Sequence, residues 1–344
     1  MKKKLTILLS LIILIATLAA CAGDSEVSDA IIGTEPPVTA PPAAPPLAES
    51  TETQAEPPIP TIELLPRLRP DVDREGHPIT LPETINTIIS IGPANAEILV
   101  ALGVADRIIA ACMFSDDVRG LPAGISSRLS IWGLDAEYIV SLMPDIVLIT
   151  GLARFGGDDD PLAPVSQAGI TVIYMPSSTS IAAIMEDIRF IAAITETHEM
   201  GESIISAMQA EIDEILEISA NIQTPRTVYF EVYPAPWMVS FGSETFLNEM
   251  IEILGAVNIF ADEEGWFSVS DEVLIYKNPD VILTSTDGCD DPIGEIKRRP
   301  GFSAITAVQN GDIFQICTNS SNRPSHKIVI ALREMAVAIF PEYF

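Results

Sequence analysis

Two glutamates occupy matching positions in two similar stretches of the chain. Glu137 and Glu272 each precede a Pro-Asp pair by seven residues, in LDAEYIVSLMPDIVLIT (134–150) and VSDEVLIYKNPDVILTS (269–285). Because proline interrupts a helix and disfavours helical backbone before it, each stretch predicts a short helix, a break and a buried strand. A first-turn carboxylate is also favoured by the helix dipole. The repetition predicts two lobes with equivalent acidic side chains, an arrangement that suits a two-fold partner.

The first residues predict export and a lipid anchor. Three lysines (Lys2–Lys4) precede an apolar run, Leu5–Leu18, that is too short to span a bilayer comfortably. The following Leu-Ala-Ala-Cys resembles a lipobox, which makes residues 1–20 a lipoprotein signal peptide and Cys21 the lipidated residue. An ordinary secretory signal with an incidental cysteine is the alternative.

Residues 21–66 have the composition of a tether. Proline recurs in pairs among Ala, Thr, Ser and Glu, and the stretch 22–66 contains no Lys or Arg. Such a segment cannot bury enough apolar surface to fold, and proline favours extended backbone of about 3.1 Å per residue. A tether of this length fits a thick wall outside a single membrane, and so predicts the outer face of a Gram-positive type of cell.

The composition and motifs of the chain exclude several classes of function. The net charge of −29 argues against nucleic-acid binding, which requires a basic face. The histidines His77, His198 and His326 are far apart, and no spacing typical of a metal site occurs. The sequence also lacks a G-x-S-x-G motif and a P-loop, so neither a catalytic site nor a cofactor is predicted. A surface lipoprotein hydrolase is the alternative from another class.

Strands alternate with helices from residue 87 onward, which predicts parallel sheets. In the first helix, Asn95 is expected to be the N-cap and Gly103 the stop signal. Residues 179–223 are helical in pattern throughout, although Thr195–Thr197 could interrupt them. We therefore expect an α/β fold of two lobes, 67–178 and 224–344, with mainly parallel sheets joined by a single long interdomain helix over 179–223.

Three cysteines remain beyond Cys21. Cys289 and Cys317 each follow a strand-like run, so a disulfide between them is conceivable in an oxidising exterior. Cys112 would then stay unpaired. Separate small apolar side chains are the simpler interpretation for all three.

The order of motifs resembles the solute-binding proteins of cobalamin and ferric-siderophore ABC importers. The motifs are SIGPANAEILVALG (90–103), the two glutamate units, FLNEMIEILGAVNIFAD (246–262), RPGFSAITAVQNGDIFQI (299–316) and NRPSHKIVIALREMAVAIFPEYF (322–344). The resemblance implies a monomer with a ligand cleft between two lobes that are joined by one rigid helix. It also implies that Glu137 and Glu272 dock onto arginines of an ABC permease dimer.

Ligands of open parallel sheets bind beyond the carboxyl ends of the strands, and a bulky ligand is gripped mainly by apolar and aromatic faces. By position, the expected ligand-binding residues are Pro93, Asn95, Phe114, Trp132, Arg154, Phe155, Tyr233, Trp237, Trp266 and Arg323. Ordinary packing is the alternative for each aromatic, and Arg154 and Arg323 could instead pair with carboxylates. The resemblance of NRPSHK and FPEYF to cobalamin-type members favours cobalamin or another corrinoid. A ferric siderophore or haem is the alternative.

Overall fold

The computed structural model describes residues 69–125, 129–131, 133–151 and 160–344. The predicted signal peptide, Cys21 and the tether lie outside this part of the chain, as do Trp132, Arg154 and Phe155. Among the described residues, no helix is long and apolar enough to cross a membrane.

A parallel four-stranded sheet forms the centre of the first lobe. Its strands are β1 Ile88–Ile91, β2 Ile108–Ala111, β3 Ile146–Thr150 and β4 Thr171–Met175. They lie in the order β2-β1-β3-β4. Ile88 and Ile89 enter two separate apolar clusters, as do Leu148 and Val147. Both faces of the sheet are therefore covered, which explains the continuous apolar sequence of these strands.

The second lobe repeats this topology. Its parallel strands are β5 Thr227–Glu231, β7 Val257–Asn258, β9 Val281–Thr284 and β10 Ile313–Gln315, and its antiparallel insertion pairs β6 Val239–Phe241 with β8 Trp266–Ser268. The parallel strands lie in the order β10-β9-β5-β7. In both lobes the first parallel strand lies between the second and the third, and the fourth lies at the edge. The repetition seen in the sequence is thus a repetition of the fold.

Eleven helices are described, and most of them connect these strands. They are α1 Pro93–Ala101, α2 Ala136–Ser141, α3 Ala163–Gln167, α4 Ile181–Ile194, α5 His198–Ser219, α6 Phe246–Ile253, α7 Asp271–Lys277, α8 Pro292–Arg298, α9 Thr306–Asn310, α10 Thr318–Asn322 and α11 Ile328–Ile339. The expected cap of α1 is wrong, because the helix begins at Pro93 and Gly92 is its N-cap. Proline suits the first helical position, where its missing N–H is not needed. Gly103, as expected, follows the end of α1 in a left-handed conformation (φ 79°).

The prediction of a single interdomain helix over 179–223 is wrong, because two helices occupy this range, and the break falls at Thr195–Thr197, the interruption that the sequence allowed. α4 ends at Ile194. Its C-cap Thr195 donates a hydrogen bond from its hydroxyl to the carbonyl of Ile191 at 2.7 Å, and Glu196 then adopts a left-handed φ of 61°. Threonine restricts its own rotamers in a helix and offers the backbone a competing hydrogen bond. The chain therefore turns at the Thr195–Thr197 segment and continues as the 22-residue helix α5.

Helix α5 extends from the first lobe to the second over about 33 Å. Near its start, a β-carbon at Gly201 would lie 2.6 Å from Ala192 of α4 and 3.8 Å from Leu102 of the first lobe. Only glycine permits this close approach of the two helices. At its other end, the carbonyl of Ser219 lies against Gly255 of the second lobe.

One apolar cluster continues through both lobes. It contains Ile88 and Leu148 from the first sheet, Phe230 and Leu283 from the second, and the buried faces of α4, α5 and α11. Because the two sheets pack on shared helices, the lobes are coupled through a common core rather than through a flexible connection.

Candidate ligand cleft and docking surface

Glu137 and Glu272 occupy the same position in two equivalent helices. Glu137 is the second residue of α2, whose N-cap Asp135 accepts a hydrogen bond from the backbone N–H of Tyr138 at 2.9 Å. Glu272 is the second residue of α7, where Ser270 caps the N–H of Val273. Both glutamates are exposed. Hydrogen bonds from its own backbone N–H and from Ser270 hold the pKa of Glu272 below its usual value, so this carboxylate is ionised at neutral pH.

The Pro-Asp pairs fix both glutamate units to their sheets by similar hydrogen bonds to a threonine. Asp145 accepts hydrogen bonds from the backbone N–H groups of Asn86 and Thr87, at 2.7 and 2.8 Å, and its own N–H donates to the Thr87 hydroxyl. Asp280 accepts from the N–H and hydroxyl of Thr227, at 2.8 and 2.7 Å, and its N–H donates back to that hydroxyl. We call each set of bonds an Asp-Thr clasp. The clasps tie the strand after each helix to the start of the first strand of its lobe.

Five described members of the predicted ligand set lie beyond strand ends, although their environments differ. Pro93 and Asn95 lie in the first turn of α1, Phe114 follows β2, and Tyr233 and Trp237 follow β5. The Asn95 side chain is buried, and its Nδ2 has no hydrogen-bond partner. In contrast, Trp237 is 56 % exposed. Whether these side chains contact a ligand stays a prediction.

Trp266 lies within β8 rather than in a loop. Its ring is half-buried and packs edge-on against Phe241 of β6, with ring centroids 5.6 Å apart. Phe241 in turn packs against Phe230 of the central sheet. One face of Trp266 therefore belongs to the core of the second lobe.

Arg323 reaches from the second lobe into the first. Its guanidinium donates to Glu97 at 3.1 Å, to Asp117 at 2.9 and 3.1 Å, and to the backbone carbonyl of Phe114 at 3.2 Å. Only 1 % of the Arg323 side chain is exposed. These bonds favour a role in joining the lobes over direct contact with a ligand, and the ligand-binding role stays a prediction.

Glu97 is the centre of this inter-lobe cluster, and the sequence analysis missed it. Its fully buried carboxylate also accepts hydrogen bonds from Ser325 at 2.6 Å and from Lys327 at 3.0 Å. A glutamate inside the apolar run of α1 was the available signal, because a buried carboxylate requires a cationic partner. Arg323 and Lys327, in the NRPSHK segment, supply it.

Further carboxyl groups surround Arg323. Asp117 also accepts a hydrogen bond from the amide of Asn319 on α10, which adds a second link between the lobes. Asp287, close to Thr318, is partly buried, and desolvation raises the pKa of its carboxyl group. The cationic groups of the inter-lobe cluster are thus already matched by acidic ones.

A buried ion pair supports the second-lobe loop that carries Tyr233 and Trp237. Arg299 binds Glu231, the last residue of β5, through two hydrogen bonds of 2.6 and 2.9 Å. Burial raises the pKa of Glu231, while the bonds from Arg299 oppose that shift. Glu295 provides a further partner for Arg299. The start of the loop is therefore held rigidly.

A separate cavity of about 1220 Å³ lies on the flank of the second lobe, between α5, α11 and the end of β10. Its lining is largely aliphatic, with Met208, Phe314 and Ile330 among the contributors. None of the predicted ligand residues that the structure describes lines it. We assign no ligand to it, because nothing in its lining indicates what would occupy it.

Metal and disulfide chemistry is not apparent in the described part of the chain. Residues 69–125, 129–131, 133–151 and 160–344 contain no group of three or more metal-binding side chains. His77 pairs with Asp73, and burial lowers the pKa of His326. Cys289 and Cys317 are exposed free thiols.

Two α/β lobes of the same topology, each with an exposed glutamate at the same helix position, are typical of solute-binding proteins. The family model described as "Periplasmic binding protein" matches residues 88–318. The chain belongs to this family. It is a solute-binding protein of the ABC importer type and not an enzyme.

The sequence identity between this chain and its individual relatives is low. The chain is 26 % identical over 274 residues to an uncharacterized ABC transporter substrate-binding lipoprotein of Bacillus subtilis. This alignment covers 79 % of this chain and 85 % of that protein. It is 26 % identical over 296 residues to a cobalamin-binding protein of Halobacterium salinarum, covering 79 % and 77 %. Among solved structures, a possible iron-binding (periplasmic solute-binding) protein from Staphylococcus epidermidis matches with a TM-score of 0.64 and 27 % identity, covering 75 % of this chain and all of that one.

Proposed function

We propose that this protein is a lipid-anchored, monomeric receptor on the outer face of the cell membrane. It delivers a corrinoid, with cobalamin as the preferred ligand, to an ABC permease dimer. The observation that carries the proposal is the equivalence of Glu137 and Glu272, which are exposed, capped in the same way and fixed to equivalent sheets by the Asp-Thr clasps.

This arrangement suits a partner made of two similar subunits. Each carboxylate stands exposed in the first turn of its helix, where it is accessible to a cation of the partner. Exposed charge pairs contribute only about 0.2–1 kcal/mol, whereas pairs that are desolvated in an interface can contribute several times more. Two glutamates that dock onto arginines of two permease subunits would therefore bind cooperatively and set the orientation of the lobes.

The docking role is tested by Glu137→Ala, Glu272→Ala and the double substitution. We expect wild-type ligand affinity and thermal stability, with uptake reduced in each single variant and far more in the double one. Glu199→Ala is the matched control, because Glu199 is also the exposed second residue of a helix but belongs to α5. Wild-type uptake by both single variants would show that the docking assignment is wrong.

The charge balance of the cleft supports a corrinoid over a strongly anionic chelate. Arg323 and Lys327 already neutralise Glu97 and Asp117, so the described residues of the inter-lobe cluster leave no cation free for a multiply charged ligand. Asp287 adds a further acidic group nearby. An amide-rich macrocycle without several negative charges fits such a site, and a relative of this chain is named a cobalamin-binding protein.

Tryptophan fluorescence, screened with cobalamin, haem and several ferric siderophores, tests the ligand. We expect cobalamin to produce the tightest saturable change, with calorimetry giving the affinity. Tighter binding of haem or of a ferric siderophore would keep the receptor role but reject the corrinoid. Hydrolysis of a surface-derived ester or peptide without any such binding would favour the alternative hydrolase.

A further inference from the structure

Each glutamate unit also holds a large apolar side chain in solvent. The Tyr276 side chain is 88 % exposed and that of Met143 is 79 % exposed. These are the highest values among the large apolar residues in the described part of the chain. One belongs to the unit of Glu272 and the other to the unit of Glu137.

Both side chains lie close to the docking glutamates along the chain. Tyr276 is four residues after Glu272 on α7, so the two share one helix face. Val273, next to Glu272, is also exposed. Met143 follows the end of α2, about 9 Å along the helix axis from Glu137. Each unit therefore exposes both a carboxylate and a large apolar side chain within seven residues of the chain.

The backbone conformation at Met143 does not favour methionine, so the needs of folding do not explain why this residue is there. Met143 and Asn278 both precede a Pro-Asp pair, and both have a left-handed φ of 47°. Asparagine tolerates this conformation, and the Asn278 amide is bonded to Thr306 at 2.7 and 2.9 Å. Methionine at the equivalent position is strained, and most of its side chain lies in solvent. Neither backbone preference nor packing accounts for a methionine at position 143.

We propose that Met143 and Tyr276 are apolar anchors of the permease-docking surface, each inserting into one subunit of the permease dimer. This inference rests on the proposed docking role of Glu137 and Glu272, because each side chain belongs to the unit of one of these glutamates. Carboxylates at an interface steer the encounter and select orientation, whereas a few buried aromatic and apolar anchors supply most of the affinity. Tyrosine and methionine are both enriched in interface cores, and methionine adapts to irregular pockets.

The test uses the full-length protein in cells in which the variant replaces the wild type. Met143→Asn copies the residue of the second unit, so it removes the anchor while relieving backbone strain. Tyr276→Gln removes the other anchor and retains helix propensity. Met200→Gln is the matched control, because Met200 is 48 % exposed and lies on α5.

We expect Met143→Asn to unfold at the wild-type temperature or above it, and both anchor variants to bind cobalamin or haem as the wild type does. Uptake of radiolabelled cobalamin and haem, measured at limiting receptor level, should fall at least about fivefold in each anchor variant and stay unchanged in Met200→Gln. A photoreactive benzoylphenylalanine at position 276 should crosslink to an ABC permease subunit, and one at position 200 should not.

The outcomes separate the two proposals. Wild-type uptake by Met143→Asn and Tyr276→Gln, together with impaired uptake by Glu137→Ala and Glu272→Ala, would overturn the anchors and leave the docking glutamates standing. Wild-type uptake by all four variants would overturn both. Crosslinking from position 276 to a protein other than a permease subunit would also contradict the anchor role.

Discussion

Trp237 and Trp266 illustrate how similar residues acquire different roles. Both were expected in loops beside the cleft, yet Trp237 is more than half exposed after β5, whereas Trp266 lies in β8 and packs against Phe241. An exposed ring contributes little to folding and is available to a ligand. A half-buried ring stabilises the folded core whether or not it also contacts a ligand.

Substitution of the two tryptophans should therefore give different results. Trp237→Ala should leave the free energy of unfolding nearly unchanged and weaken ligand binding about 5- to 150-fold, since a stacked aromatic contributes about 1–3 kcal/mol. Trp266→Ala should lower the free energy of unfolding by about 1–3 kcal/mol as well. Urea unfolding and calorimetry with the best ligand of the screen measure both effects. Unchanged affinity in both variants would reject the aromatic cleft.

At the scale of secondary-structure elements, the two Asp-Thr clasps show why the repeat has a fixed geometry. Asp145 accepts hydrogen bonds from the backbone N–H groups of Asn86 and Thr87, and Asp280 accepts one from the N–H of Thr227, at the start of the first strand of each lobe. For Asp145, slight burial raises the pKa, but the N–H donors of Asn86 and Thr87 outweigh it and lower the pKa overall. The proline before each aspartate ends the preceding helix, so the clasp also sets where the next strand begins.

We expect Asp145→Ala and Asp280→Ala each to lower the free energy of unfolding by about 1–3 kcal/mol, because backbone donors lose their acceptor. Double-mutant cycles that combine these changes with Thr87→Val and Thr227→Val should show positive coupling within a clasp and additivity between the two clasps. Asp213→Ala, on the exposed side of α5, is the control. Coupling between the clasps, or none within them, would contradict this account.

At the scale of the whole molecule, three kinds of contact hold the lobes in their relative orientation. Helix α5 spans them, the shared apolar cluster packs both sheets on common helices, and the inter-lobe cluster joins Arg323 to Glu97 and Asp117. A buried charge pair is not strongly stabilising compared with apolar packing, but loss of one partner leaves the other unpaired. The cluster therefore specifies one arrangement of the lobes more than it adds stability.

Arg323→Met should lower the free energy of unfolding by about 3–5 kcal/mol, because Glu97 would lose one buried cationic partner. Arg333→Met is the control: Arg333 pairs with Glu211 and Glu214 near the surface, and its loss should change stability by less than about 1 kcal/mol. Adding Glu97→Gln to Arg323→Met should restore part of the loss. Small-angle scattering of the folded variants would detect opening of the lobes, and equal effects of Arg323→Met and Arg333→Met would refute the role of the cluster.

The predicted tether also concerns the whole molecule. Its composition implies that it anchors the protein and does not contribute to ligand binding. Protein that begins near Leu64 should bind ligand as tightly as a form that includes the tether, because the Pro-rich segment offers no core. Cys21→Ala should release the protein from the membrane fraction. A tenfold loss of affinity on truncation would contradict the first expectation, and retention in the membrane fraction the second.

The repeated spacing of Glu137 and Glu272 to their Pro-Asp pairs was sufficient to predict two equivalent lobes, because proline and local hydrogen bonding fix helix ends at short range. The alternation of strands with helices likewise predicted parallel sheets, because parallel strands need crossover connections. Two details of local structure were wrong: Gly92, not Asn95, caps α1, and the interdomain helix breaks after Thr195. Both depend on hydrogen-bond competition at a helix end, where propensities differ little.

Only the tertiary structure could show which distant side chains meet. Arg323 and Glu97 are 226 positions apart, and their pairing depends on how two separately folded sheets dock through α5. The same is true of Trp266, whose neighbour Phe241 becomes apparent only once β6 and β8 pair. Periodicity records which face of an element is buried, because burial acts on each residue locally. It carries no information about the partner across an interface, since that partner is selected by the shape and charge of the assembled lobes.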